Sequence, residues 1–227
     1  MMAFHREHNG IYAAVDEGER RALAGMARDV VVLLGSDVEH ECERRSQQID
    51  PDDPFAEFEA DLADIADSIA DESDGLALPR LVPVDDAVAR LLPDMSEDPD
   101  EAQQLRELTE DTVAAAKIEN LVTFYLGLMA IPEGESRFRI SYEDGPAWLA
   151  ALNDIRLVLA TRLQIDSEQE AEEIYQRASV FMSPHPQVAE DFPEVTSSDD
   201  MLAVLYAMTT WWQDSLLRAL NRKRPRG

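Results

Sequence analysis

The sequence predicts a mainly α-helical protein that contains one small antiparallel sheet. Over most of the chain, apolar residues recur at steps of three and four, which is the period of a helix. Two short stretches, residues 3–15 and 137–142, instead carry the alternation or the tight turn that is typical of strands. Because an isolated hairpin is only marginally stable, we expect these two stretches to pair in one sheet.

The first element is expected to be a β-hairpin over residues 3–15. Asn9 and Gly10 would supply the positive φ angles of a two-residue turn, and the flanking residues Ile11, Tyr12 and Val15 favour strands. The second strand region, residues 137–142, alternates strictly between polar and apolar residues.

The helices are expected to account for most of the remaining chain. The first should run from Asp16 to about residue 48, with Asp16 as N-cap and Glu19 three residues later, the spacing of a capping box. Prolines and glycines interrupt the helical period further on. The helices predicted after residue 85 cover residues 86–92, 98–130, 143–164, 167–181 and 199–221.

An acidic segment separates the first helix from the later ones. Residues 50–98 contain sixteen acidic and two basic residues, and residues 49–75 are interpreted as an insertion. Within it, one narrow apolar stripe at helical spacing is surrounded by carboxylates. This helix is the predicted partner-binding surface, and the residues chosen for it are Phe55, Phe58, Leu62, Asp61 and Asp64.

We expect residues 1–221 to form a single mostly helical domain, followed by a basic tail at 222–227. The formal net charge of the chain is −27, and such a surface repels phosphate backbones and anionic membranes. Direct nucleic-acid binding is therefore not expected. The basic tail could touch nucleic acid, but we prefer the interpretation that it is disordered or folds back onto the acidic surface. The preferred partner is a basic protein, and the alternative is that the acid only maintains solubility.

The location predicted from the sequence is the cytoplasm. The N-terminus has no apolar signal core, and no apolar run approaches the ~20 residues of a membrane span. A single cysteine, Cys42, excludes an internal disulfide and fits a reducing compartment.

No motif of catalysis or cofactor binding occurs in the sequence. His5, His8 and His40 lack the spacing of metal ligands, and the glycines form neither a P-loop nor a dinucleotide-binding turn. We therefore expect no metal site, no cofactor and no enzymatic activity. An enzyme with an unrecognised carboxylate site remains the alternative.

One polar cluster lies inside an otherwise apolar helix. Asn153, Asp154 and Arg156 interrupt the run from Trp148 to residue 159, and buried polar groups need partners. Arg156 could pair with Asp154 or with Glu119 of an earlier helix. A network that organises the fold is preferred over a ligand site.

Three stretches of the sequence together carry a family resemblance. The hallmark stretch is 143–165, which reads EDGPAWLAALNDIRLVLATRLQI. The other two are 87–120, with Arg90-Leu91-Leu92-Pro93 and Lys117, and 211–216, which reads WWQDSL. These stretches resemble an actinobacterial family first described as a domain of unknown function and later named the oxidative-stress regulator AosR.

This resemblance implies a regulator of thiol stress that acts with an alternative sigma factor and promotes cysteine-synthesis genes. The sensor of the family is a Cys-x-x-x-Cys pair, from which this chain departs because Cys42 stands alone. A disulfide between two chains, or a sulfenic acid at Cys42, would be the remaining redox routes.

The preferred function is that of a non-enzymatic transcription-regulatory protein that binds a sigma factor or the polymerase. The alternative is an adaptor or scaffold in protein turnover, because members of the family tend to lie beside genes for a proteolysis adaptor. The apolar stripes and the pair Trp211-Trp212 could also form the interface of a homodimer.

Overall fold

The computed structural model describes residues 1–47, 85–182 and 197–221. Within these ranges the chain forms a three-stranded antiparallel sheet and seven helices, which confirms the predicted fold class. The strands are β1 (Met2–Glu7), β2 (Gly10–Ala14) and β3 (Arg137–Ile140), in the order β1-β2-β3. The helices are α1 (Glu17–Leu33), α2 (Val38–Gln47), α3 (Asp86–Leu91), α4 (Pro99–Met129), α5 (Gly145–Arg162), α6 (Glu168–Met182) and α7 (Ser198–Asn221).

Helix α5 lies at the centre of the fold. It packs against α1, α3, α4 and α7, while α6 packs against α7 and β1 packs against α7. None of the helices in the described ranges has the length and apolarity of a membrane span. The insertion 49–75 and the tail 222–227 lie outside the described residues.

The hairpin forms where it was predicted, but its turn differs. Glu7 pairs with Gly10, so the two central turn residues are His8 and Asn9, and the φ angle of Gly10 is not positive. Glycine is needed at position 10 because a Cβ atom there would lie 2.8 Å from the carbonyl oxygen of Ile140 on β3. The close approach of two strands, not the turn geometry, therefore accounts for this glycine.

The predicted helix over 16–48 is wrong in one respect, because it is divided into α1 and α2. The start is as expected: Asp16 and Glu19 form a capping box with hydrogen bonds of 2.8 and 2.9 Å. The break follows Leu33, where Gly35 adopts a φ of +86°. Asp37 then accepts hydrogen bonds from the backbone N–H groups at 39 and 40 and starts α2.

A cluster of aromatic side chains connects the sheet to three helices. Trp148 of α5 and Trp212 of α7 are fully buried, and Phe124 of α4 lies 4.7 Å from the Trp148 ring. Phe4 of β1 lies 4.5 Å from the Trp212 ring, and Phe138 of β3 stacks on Trp148 at 5.4 Å. This cluster is the centre of the hydrophobic core.

Hydrogen bonds place β1 on α7 beside this cluster. The indole N–H of Trp212 donates to the carbonyl oxygen of Met2 at 3.1 Å, and the backbone N–H of Phe4 donates to Ser215 Oγ at 3.1 Å. Trp212 is thus a core residue. Its neighbour Trp211 is partly exposed.

Gly127 allows α4 to approach Trp148, and replacing it should destabilise the fold. In Gly127→Ala the new Cβ would lie 2.5 Å from Cζ2 of Trp148, closer than real contacts permit. We expect the free energy of unfolding to fall by about 1–3 kcal/mol, as in other overpacked cores. Urea denaturation at neutral pH measures this loss.

The control is Gly25→Ala in α1, where a Cβ would meet no atom within 4 Å. Alanine should stabilise that helix by about 0.5–1 kcal/mol. If Gly127→Ala were as harmless as Gly25→Ala, the packing of α4 on Trp148 would be contradicted.

Candidate functional site

The polar cluster of α5 is held by a lysine on α4. Asp154 is 2% exposed, and its Oδ1 accepts a hydrogen bond from Nζ of Lys117 at 2.6 Å. This ion pair joins the middle of α4 to the middle of α5. It places two of the stretches that carry the resemblance, 87–120 and 143–165, in direct contact.

In the structure, Arg156 contacts Asn153, a member of the same predicted cluster. Its Nη2 lies 3.4 Å from Oδ1 of Asn153, one turn earlier on the same helix. Residues two apart on a helix do not face each other, so Arg156 and Asp154 point in different directions. Glu119 is instead bound by Arg45 of α2 at 2.5 Å.

Asn153 also connects α5 with the third of these stretches. Its Oδ1 lies 3.4 Å from Nε2 of Gln213 on α7, within the segment 211–216. The stretches 87–120, 143–165 and 211–216 therefore meet around residues 153 and 154.

The position of Asp154 affects its ionisation. Burial raises the pKa of this carboxyl, and the hydrogen bond and charge of Lys117 offset only part of that effect. The ionised form is thus maintained at a cost in stability, which a nearby cation reduces.

A cleft of about 380 Å³ opens beside this ion pair, between α3, α4 and α5. Its lining includes Lys117 of the ion pair, Leu157 of α5 and the chain from Arg90 to Met95. Most of the lining is apolar. The other lining residues are Ala102, Arg106, Thr109, Glu110 and Val113.

Ion pairs fix the walls of the cleft. The guanidinium of Arg106 is 8% exposed and binds the carboxylates of Asp94 and Glu110. Arg90 donates to the carbonyl oxygen of Ile165 at 3.0 Å and also binds Asp166. The cations that line the cleft are thus paired with carboxylates, and the space between them is suited to an apolar group.

Sequence reasoning missed this cleft. Arg90 and Lys117 were noticed only as parts of the resemblance, and their helices are separated by the turn that contains Pro93. The sequence signal that could have indicated the ion pair was the presence of two isolated charges, Lys117 and Asp154, in apolar surroundings. Since many arginines were equally eligible partners, the sequence did not identify Lys117.

Cys42 lies half-buried on α2 and packs against the edge of the core. Burial raises the pKa of its thiol, and the carboxylates of Glu39, Glu41 and Asp37 add to this effect, while Arg45 opposes it. The thiolate, which is the form that reacts with oxidants, is therefore disfavoured at neutral pH.

The remaining predicted site residues are those of the partner-binding surface. Phe55, Phe58, Leu62, Asp61 and Asp64 lie outside the described residues. In the part of the chain that the structure describes, no three His, Cys, Asp or Glu side chains converge as metal ligands would.

Removing the lysine of the buried pair should destabilise the protein in a pH-dependent way. In Lys117→Met, Asp154 keeps its burial but loses its cation, and breaking a buried pair costs about 3–5 kcal/mol. A carboxyl whose pKa is raised on folding binds its proton more strongly in the folded state. The stability lost in Lys117→Met should therefore be largest at pH 7 and smaller at pH 5, by urea denaturation.

The matched control is the double variant Lys117→Met/Asp154→Leu, which removes both charges. It should recover most of the lost stability, because no charge is left unpaired in the core. A loss in Lys117→Met that is equal at both pH values, or that persists in the double variant, would contradict the role assigned to the pair.

The Cys42 thiol should react slowly with electrophiles. We expect iodoacetamide at pH 7.5 to label Cys42 several-fold more slowly than free cysteine, since burial and nearby carboxylates suppress the thiolate. Timed labelling followed by intact mass spectrometry measures the rate, and the urea-unfolded chain is the control. A rate at or above that of free cysteine would contradict this description of the site.

Comparison with known protein families gives a match over almost the whole chain. The model of the family described as a domain of unknown function (DUF2017) matches residues 1–220. No curated protein and no solved structure matches the chain. The match extends from β1 to the last turn of α7 and so includes the cleft and the buried ion pair. The chain belongs to the DUF2017 family.

Proposed function

We propose that this protein is a non-enzymatic regulator that acts by binding another protein through the cleft between α3, α4 and α5. The observation that carries this proposal is that two of the resembling stretches, 87–120 and 143–165, line one apolar cleft beside the ion pair that joins them. Its size suits one or two apolar side chains of a partner. Such pockets anchor protein partners when a rigid wall surrounds them.

The exposed side chains near the cleft support the same proposal. Met95 lines the cleft and is 58% exposed, and Leu108, the residue before the lining residue Thr109 on α4, is 77% exposed. Large apolar side chains that remain exposed beside a pocket are typical of an interface that a partner covers.

The proposed partner is a sigma factor or a subunit of RNA polymerase, as the resemblance to the oxidative-stress regulator family implies. The net charge of −27 favours a partner with a basic surface, because opposite charges accelerate encounter and oppose wrong partners. This function places the protein in the cytoplasm, with the polymerase. An adaptor in protein turnover is the competing function and would use the same cleft.

The slow reaction expected of the Cys42 thiol argues against oxidation of Cys42 as the regulatory signal. A thiolate sensor needs a lowered pKa, and the surroundings of Cys42 raise it. We therefore propose that partner binding at the cleft does not require oxidation of Cys42.

A pull-down with cleft variants tests this function. Tagged full-length protein is recovered from the cells that naturally express it, with and without brief peroxide, and bound proteins are identified by mass spectrometry. Met95→Glu puts a charge on the rim of the cleft and should abolish recovery of the sigma factor or polymerase. The control Met129→Glu changes a methionine of similar exposure, 53%, at the far end of α4 and should leave recovery intact.

Three outcomes would contradict the proposal in different ways. Recovery of proteolytic machinery instead of polymerase would favour the adaptor function. If Met95→Glu and Met129→Glu reduced recovery of the partner equally, the partner would not bind at the cleft. Recovery only in the presence of peroxide, and not in Cys42→Ser, would restore a thiol sensor.

A further inference from the structure

A second apolar groove lies along α5, and none of its lining residues lines the cleft. Helices α1 and α7 both pack against α5, and among the described residues the groove lies between them. The groove has a volume of about 450 Å³. Its apolar lining includes Val32 and Leu33 of α1, Val158 and Leu159 of α5, and Leu202 and Leu205 of α7.

The groove is long enough for about two turns of a helix. The lining of α1 runs from Met26 to Leu33, which at 1.5 Å per residue is about 10 Å. A groove between two helices that pack on a third can receive an amphipathic helix, whose apolar residues enter at positions i, i+3, i+4 and i+7.

The charges at the groove are acidic or already neutralised. Arg162 is bound by both carboxylate oxygens of Asp85, at 3.0 and 2.7 Å, and Arg28 is paired with Glu39. Asp29 is exposed on the lining of α1, and Asp199 is exposed one turn before Leu202 on α7. An incoming segment therefore meets an apolar floor with carboxylates at its sides.

We infer that this groove binds an amphipathic helix of another protein whose apolar stripe is flanked by lysines or arginines. Charge complementarity selects this occupant, because Asp29 of α1 and Asp199 of α7 are exposed at the sides of the groove. The two arginines of the lining, Arg28 and Arg162, are already paired with carboxylates. A second copy of the chain is disfavoured, since each copy carries a net charge of −27. This surface is separate from the cleft of the proposed function and is tested with different variants.

The test uses a fluorescein-labelled synthetic peptide of 18 residues, with leucines at helical spacing on one face and lysines elsewhere. Binding to the full-length chain is followed by fluorescence anisotropy at 150 mM salt. Val32→Glu adds a charge inside the groove at a side chain that is 57% exposed, so the fold should tolerate it. We expect it to weaken peptide binding by at least about tenfold.

The matched control is Leu217→Glu, which adds the same charge at a side chain that is 43% exposed on α7. Leu217 lies twelve residues beyond Leu205, about 18 Å farther along the helix. Binding to this variant should equal binding to the unmodified chain. Equal binding to both variants would show attraction by charge alone and would overturn the inference.

Two further measurements address the other occupants of the groove. Sedimentation equilibrium that shows a dimer, lost in Val32→Glu but retained in Leu217→Glu, would assign the groove to a second copy. A thermal midpoint lowered by several degrees in Val32→Glu alone would show that the groove is filled from within the same chain. Either result would overturn the inference, and neither depends on Met95 or on the cleft.

Discussion

One buried carboxylate at the centre of α5 constrains how the neighbouring helix is placed. Asp154 sits in a helix whose other inward residues are apolar, so its charge must be matched where it lies. Lys117 is the cation within reach, and the pair fixes how α4 lies along α5. The same contact lies at the edge of the cleft, because Lys117 is one of its lining residues. A polar requirement in the core thus positions the surface proposed to bind a partner.

The aromatic cluster joins α5 to α7 and to the sheet, and the ion pair joins α5 to α4. Trp148 and Trp212 lock α5 to α7 and to the sheet, and Gly127 lets α4 come close enough to contact Trp148. The aromatic contacts are apolar and hold at any pH, whereas the contact made by Asp154 depends on protonation. On either side of α5, the cleft and the groove remain as apolar concavities in a strongly acidic surface. The concavities suit apolar side chains of a partner, and the acidic surface favours a partner with basic charge.

Local signals in the sequence predicted the elements well. The capping box at Asp16, the helix predicted over 98–130 and the alternation in 137–142 each depend on neighbouring residues, and α1, α4 and β3 form at these places. Signals that depend on distant contacts were misread. Gly10 was assigned to a turn, although its lack of a side chain serves the approach of β3, and Gly35 was not recognised as the end of α1.

The candidate site was less predictable for the same reason. Asp154 could be singled out because a charge among apolar residues needs a partner, but the partner is 37 residues away on another helix. Spacing along one helix suggested Arg156, whose side chain points elsewhere. The cleft itself is formed by three segments that are separated in sequence, so no local pattern encodes it.

The claim that the cleft binds the transcription machinery can be tested by hydrogen–deuterium exchange of the full-length chain. The chain is measured alone, with core RNA polymerase, and with holoenzymes that carry alternative sigma factors. The account predicts slower exchange with one of these partners, concentrated in residues 90–95 and 106–113, which line the cleft. Unchanged exchange in these segments with every partner, or protection confined to other surfaces, would contradict it.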